Sequence, residues 1–249
     1  MRILLTNDDG IFADGISVLR EQLLACGEVW TVAPDRERNA ISHALTLHRP
    51  LRISQIDVHS YAVNGTPADC INIAVHHLLP SQPQLIVSGI NRGGNLGSDV
   101  NYSGTLAGAL EGARMGIASF SISLAGDDSF DYRPAARFAL RLAQFILQHG
   151  LPANTMLNVN VPDTEGQSIE RYRITRQGTK RHRNTIEKKI DPRGISYYWI
   201  GRIMDSGAVP EDDHSFDYRA IEERVISVTP LSIDRTNETS YNEMTTWHL

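Results

Sequence analysis

Short apolar runs that stop on turn residues alternate with longer stretches whose apolar positions recur at helical spacing. Ile3-Leu4-Leu5 is the first run, and Asn7-Asp8-Asp9-Gly10 ends it: a strand buried on both faces, then a turn. Ile16, Leu19, Leu23 and Leu24 mark a helix within Gly15 to Ala25. Val29 to Ala33 reads as a second strand, stopped by Pro34-Asp35, and the polar, arginine-rich stretch from Asp35 to Ser42 as a loop. Leu45 to Ile53 and Ser60 to Val63 read as extended. Pro67 suits the first turn of a helix continuing from Ala68 to Leu79. Leu85 to Val87 is a further strand, ending in Ser88-Gly89 before the polar, glycine-rich stretch from Asn91 to Asp99. Ser103 caps a helix through Leu106, Leu110 and Met115. Ile117 to Leu124 then reads as a strand, Arg133 to Gln148 as a helix, and Met156 to Val161 as a strand closed by Pro162.

This alternation predicts right-handed βαβ units and an α/β fold with a mostly parallel sheet. The rhythm changes near residue 165. Arg171 to Arg176, Tyr197 to Ile200 and Val225 to Val228 read as strands with no long helix between them, and Asp191-Pro192-Arg193-Gly194 as a turn. The expected organisation is therefore an α/β core over residues 1–165 and a β-rich extension over 166–249. The extension reads equally as an arm for oligomer contact and as an ordinary hairpin on the same domain.

Hydrophobic residues make up 41% of the chain and charged ones 21%, enough for a sizeable core and too apolar for disorder. The net charge of −5 argues against nucleic-acid binding, although the basic run Arg171 to Lys189 could steer an anion. Cys26 and Cys70 both fall in apparent helices, so no disulfide framework is expected. The chain starts on a strand rather than a leader, and no apolar run is long enough to span a bilayer. A cytoplasmic protein without a membrane partner is the expectation.

Chemistry concentrates where strands end. Ligands of open α/β sheets bind at the strand carboxyl ends, where Asp8 and Asp9 stand side by side. Adjacent carboxylates repel, and a site that keeps both ionised usually holds a cation; hard oxygen ligands favour magnesium, manganese or calcium. Plain turn chemistry, with Asp9 capping the next helix, is the competing reading. Ser103-Gly104-Thr105 at a helix start offers free N–H groups, a positive dipole end and two hydroxyls to a phosphate, or else Ser103 is only a cap. Asn91 and Asn95 offer neutral oxygens and amide donors beside a metal or phosphate, or form turns. Gly93-Gly94-Asn95-Leu96-Gly97 matches neither a dinucleotide fingerprint nor a P-loop. His43 could protonate a leaving group, whereas Asp57, Asp127 and Asp128 read as loop charges. In a parallel sheet these clusters share one edge and should converge in one cleft.

ILLTNDDG at the start, APDRERNAISHALTL from Ala33, NGTPADC from Asn64, VSGIN with RGGNLGSDVNYSGTLAGALEG from Val87, and LNVNVP from Leu157 together resemble the SurE (survival protein E) family. TRQG at Thr175, YYWIG at Tyr197 and ISVTPL at Ile226 continue the likeness in order. The resemblance implies a Rossmann-like three-layer core with a β-rich carboxyl-terminal extension, and homodimers or homotetramers formed through swapped carboxyl-terminal segments. It implies metal-dependent hydrolysis of nucleoside 5′- and 3′-monophosphates, and of short polyphosphate in some members. By the same resemblance, one Mn2+, Mg2+ or Co2+ ion sits on Asp8, Asp9, Asn39 and Asn91; Asp8 or Asp9 could then accept or orient the proton of the attacking water. Many members carry serine where this chain has Asn39; both offer a neutral oxygen. Asn95, Ser103, Gly104 and Thr105 match the phosphate-contacting positions.

Three other classes share some of these features. A receiver-like magnesium-binding signalling module would leave the Ser-Gly-Thr helix start and the β-rich tail without a task. A phosphatase acting through an aspartyl-phosphate usually shows D-x-D after its strand, whereas these acids are adjacent. A metal-free nucleotide-binding protein would keep its ligand affinity in the presence of a chelator.

Overall fold

A computed structural model describes residues 1–126, 131–164, 167–179, 182–204 and 213–247. Asp127, Asp128 and, within the basic run, Lys180 and Arg181 lie outside the described residues. Strand β1 (Arg2–Thr6) turns Ile3 and Leu5 to one face and Leu4 to the other. All three are fully buried, which accounts for the unbroken apolar run. Helix α1 (Asp14–Leu23) and strand β2 (Glu28–Pro34) follow. Then come the antiparallel pair β3 (Ile53–Asp57) and β4 (Ser60–Val63), helix α2 (Pro67–Ile73) and β5 (Leu85–Arg92). Helix α3 (Gly104–Arg114), β6 (Ser119–Ala125), α4 (Arg133–His149) and β7 (Thr155–Pro162) complete the α/β winding. The remainder comprises β8 (Tyr172–Ile174), β9 (His182–Ile190), β10 (Ser196–Met204), α5 (Asp217–Glu222), β11 (Ile226–Ser232) and α6 (Glu238–Met244).

One sheet runs in the order β3-β4-β2-β1-β5-β6-β7-β11-β8, parallel from β4 through β7. Strands β3 and β11 run against their inner neighbours. Helices α1 and α4 cover one face, packing Ile16, Leu19, Phe138 and Ile146 against Ile3, Leu5 and Val87. Helices α2 and α3 cover the other, where Ile71 and Ala74 meet Leu4 and Ile86. The chain winds outward from β1 through β2 and β4, then returns to β5 and winds the opposite way. Between β1 and β5 lies the switch point at which strand carboxyl ends part and leave a crevice.

Several expectations need correction. Residues 45–52, read as extended, join no ladder; the Thr46 N–H donates to Asp69 Oδ1 (2.9 Å) and the Arg52 N–H to Asn64 Oδ1 (2.8 Å). Helix α2 stops at Ile73 and continues as one wide turn, Ala74–Leu78. Strand β5 does not end at Gly89 but runs on to Arg92 past a register shift against β6 between Ser88 and Asn91. Such a bulge re-aims the residues beyond it. Gly89 permits it, since a Cβ there would lie 2.2 Å from the Ile122 carbonyl oxygen. Helix α6 was not foreseen; the Asn237 side chain caps it by accepting from the Ser240 N–H. Strands β8 and β11 extend the central sheet, while β9 and β10 form a separate hairpin.

One packing feature sets the position of α3. Gly104, Gly108 and Gly112 share one face of the helix, and added Cβ atoms would meet Asp8 at 2.8 Å, Thr6 at 2.5 Å and Ile86 at 2.5 Å respectively. The helix therefore lies close on β1 and β5, with its first turn over Asp8. Gly108→Ala is expected to cost about 1–3 kcal/mol by overpacking, although alanine is the better helix former by up to about 1 kcal/mol. Urea unfolding reads the difference; a gain in stability would show that the helix has room.

Candidate active site

The turn after β1 is built by Asn7, not by the acids. Asn7 Nδ2 donates to the Gly10 carbonyl (2.9 Å) and its Oδ1 accepts from the Gly10 N–H (3.1 Å), with Gly10 at φ +103°. Helix α1 has Ala13 at its N-cap and no side-chain cap, so Asp9 is not spent on capping. Both carboxylates are left for other work.

Asp8 is only 4% exposed, and the Thr105 hydroxyl donates to its Oδ1 at 2.5 Å. Burial pushes its carboxyl up to about 6; the Thr105 hydrogen bond opposes this and the Asp9 charge adds to it. Asp9 also titrates above its ordinary value because of burial, opposed by the Arg92 N–H and reinforced by Glu37. Two acids that resist ionising together are what a bound cation would relieve.

Neighbouring segments are tied to this pair. The Arg38 N–H donates to the Asp8 carbonyl (2.7 Å), bringing in the loop that carries Asn39. The Arg92 N–H donates to Asp9 Oδ2 (3.2 Å), bringing in the end of β5 and Asn91. Asn39 turns its amide nitrogen onto the Glu37 carboxylate, and Asn91 turns its own onto the Gly93 carbonyl (2.8 Å). Each amide thus keeps its carbonyl oxygen for another partner. Two carboxylates with two amide oxygens would make a hard donor set of the kind that suits magnesium, manganese or calcium. Among the described residues no group of three or more His, Cys, Asp or Glu could hold a metal ion, so a cation here depends on those amide oxygens and on water.

Opposite the acids lies the first turn of α3. Ser103 is its N-cap, accepting from the Leu106 N–H (3.1 Å). Gly104 lets the backbone meet Asp8. Thr105 is fully buried, and the hydroxyl expected to face an anion is turned instead onto Asp8. Asn95 is not a turn residue in an open loop. Its Nδ2 donates to Ser123 Oγ (2.8 Å) and its backbone N–H to Asn160 Oδ1 (2.7 Å), while its carbonyl accepts from Asn158 and Asn160.

The sequence reading missed Asn158 and Asn160. The available signal was their alternation with Leu157, Val159 and Val161, which puts amides at every second position of a buried strand. It also missed Asp217, whose buried carboxylate accepts from the Gly97, Gly178 and Tyr218 N–H groups and braces the 93–99 loop from the carboxyl-terminal region. His76 and His77 are exposed on the far turn of the α2 segment and take no part.

The chain is similar to known proteins over most of its length. The family model described as Survival protein SurE matches residues 3–184. A protein of Geotalea uraniireducens named 5′-nucleotidase SurE is 48% identical, with all of both chains covered. One of the same name from Pelobacter propionicus is 49% identical over 99% of each chain. The crystal structure of the SurE protein from Aquifex aeolicus superposes with a TM-score of 0.86 at 38% identity, covering 98% of each chain.

The acid pair has a consequence for pH. In the metal-free protein Asp8 titrates at about 6 when folded against 3.8 ordinarily, so the folded state holds the proton more tightly. Stability tied to this group is fully present below about pH 4 and is lost as pH rises through about 6. Asp8→Asn, which keeps an acceptor for Thr105, should therefore stabilise the metal-free protein at pH 7 by at most about 3 kcal/mol and lose that advantage near pH 4. Thermal unfolding of both proteins across this range decides; a difference independent of pH would contradict the assignment.

Proposed function

The chain belongs to the SurE family, and from that premise we propose that it is a phosphoric monoester hydrolase that cleaves nucleoside 5′-monophosphates to nucleoside and phosphate. The observation that carries the reading is the buried Asp8, beside the half-buried Asp9, lying under the first turn of α3 at the switch point of the sheet. Asp8, Asp9, Asn39 and Asn91 would hold one divalent ion, Mn2+, Mg2+ or Co2+. When bound, the ion supplies a Lewis acid for the phosphoryl oxygens and makes water easier to deprotonate.

The chain's own groups do the rest. The N–H groups of the first turn of α3, with the Ser103 hydroxyl, receive the phosphate oxygens at the positive end of the helix dipole, and Gly104 leaves room for them. Thr105 fixes the rotamer of Asp8. Asn95, with its amide on Ser123 and its backbone N–H on Asn160, stiffens the loop beside the phosphate. Asp9, the more exposed acid, takes or orients the proton of the attacking water. Donors preorganised in this way stabilise the equatorial oxygens as the phosphorus–oxygen bond breaks.

The same cradle would accept nucleoside 3′-monophosphates and the terminal group of short polyphosphate, since it grips phosphate rather than base. Within residues 166–249, where β8 and β11 belong to the central sheet, the separate β9–β10 hairpin would act as an arm joining homodimers or homotetramers. The exposed Ile186, Ile190, Tyr198, Trp199 and Ile200 of the β9–β10 hairpin support that role. We place its work in the cytoplasm, as for an enzyme of small nucleotides; no helix among the described residues is long and apolar enough to cross a membrane.

Phosphate release from a panel of nucleoside 5′- and 3′-monophosphates and short polyphosphate, with each ion and after chelation, tests the reading. Chelation should abolish turnover and manganese restore it. Asp8→Asn should lose roughly two or more decades of rate, about the cost of one preorganised group. Near-full activity of that variant with the ion present, or a phospho-enzyme trapped on Asp8 or Asp9, would contradict the scheme.

A further inference from the structure

Next to the phosphate cradle, and sharing Ser103 with it, is a cavity of about 270 Å³. That is slightly below the roughly 300–1,000 Å³ of typical small-molecule sites. Its lining combines apolar Leu106, Leu110 and Met156 with polar Gln177 and Arg235, a mixture that suits a flat base on a hydroxylated sugar. His43 lines it as well.

His43 is not a solvated loop histidine. Its Nε2 lies 2.6 Å from Glu111 Oε2, and the two side chains are only 19% and 9% exposed. Glu111 projects from α3, and its other oxygen accepts from Asn72 Nδ2 (2.8 Å), which also donates to the Ala68 carbonyl (3.0 Å). Both carboxylate oxygens are therefore committed. The hydrogen bond from His43 is the main cause holding the Glu111 carboxyl below its ordinary range, so Glu111 stands ionised. The loop is anchored one residue earlier, where the Ser42 N–H donates to the Tyr102 carbonyl (3.0 Å) and its hydroxyl to the Asn101 carbonyl (2.9 Å). An imidazole oriented by a buried carboxylate, with its second nitrogen left to a ligand, is the arrangement by which proteins carry out proton transfer.

We propose that this cavity receives the nucleoside half of the substrate, and that His43 Nδ1 donates the proton taken up by the departing ester oxygen, with Glu111 as its positioning residue. The inference rests on the hydrolase reading above. As the phosphorus–oxygen bond to the nucleoside breaks, its electron pair goes to the nucleoside oxygen, which takes the proton from His43. The oxygen of the attacking water forms the new phosphorus–oxygen bond and gives one proton to Asp9. Exchange with solvent then returns Asp9 and His43 to their starting states.

The test compares a nucleoside 5′-monophosphate with p-nitrophenyl phosphate, whose phenolate departs without needing a proton. With manganese present, kcat/KM is measured for the wild-type protein, His43→Gln and Glu111→Gln. His43→Gln should lose about 10²–10³-fold on the nucleotide, and this loss should exceed its loss on p-nitrophenyl phosphate by at least about 30-fold. Glu111→Gln should show the same selectivity with a smaller loss. Equal losses on both esters would mean that the pair only pins the loop and would overturn the proposal, as would no loss on either. A second measurement needs no variant: across aryl phosphates of graded leaving-group pKa, the wild-type rate should depend only weakly on that pKa, and a steep dependence would overturn the proposal. A wild-type protein inert toward both esters would overturn the hydrolase reading itself, and this inference with it.

Discussion

The site depends on one close approach. Helix α3 lies so near the sheet that Gly104, Gly108 and Gly112 have no space for a Cβ, and its first turn comes down on Asp8. That contact buries a carboxylate, turns the Thr105 hydroxyl onto it, and brings free helix N–H groups to the same spot. A buried acid beside a second acid carries a charge problem, and the helix terminus that creates the burial also supplies part of the answer. A larger residue on the glycine face would lift the helix and separate the two halves of the site.

Around this contact the site is held by backbone as much as by side chains. The Arg38 and Arg92 N–H groups tie two distant loops to the acid pair, and Asp217 reaches back to brace a third. The bulge in β5 re-aims Asn91 beyond Ser88, at the strand end that the proposed ion would use. The asparagines of β7 hold Asn95 in place of a conventional loop hydrogen-bond pattern. These supports place polar groups around the buried Asp8, where electrostatic interactions are screened less than in water.

Much of the fold could be read from residue order because its signals are local. Unbroken apolar runs such as Ile3 to Leu5 identify strands buried on both faces, and Asp8-Asp9 falls at the strand end where a parallel sheet binds ligands. What could not be read is tertiary. The glycine spacing on α3 has meaning only once the helix lies on β1. Asn158 and Asn160 looked like part of an apolar strand, because the loop they hold comes from elsewhere in the sequence. Glu111, the partner of His43, and Asn72, which holds Glu111, come from two different helices, so a lone loop histidine gave no hint of its pairing. Thr105 shows the opposite error: its place at a helix start suggested an anion contact, and burial gave its hydroxyl to Asp8 instead.

The central claim is that the paired acids, the two amides and the helix entrance form one cation-centred site. Anomalous scattering from crystals of the protein soaked in manganese tests it most directly. The account predicts a single strong peak within bonding distance of carboxylate oxygens of both Asp8 and Asp9, with the Asn91 carbonyl oxygen also in reach. A peak held by other residues, or none at saturating manganese, would contradict it.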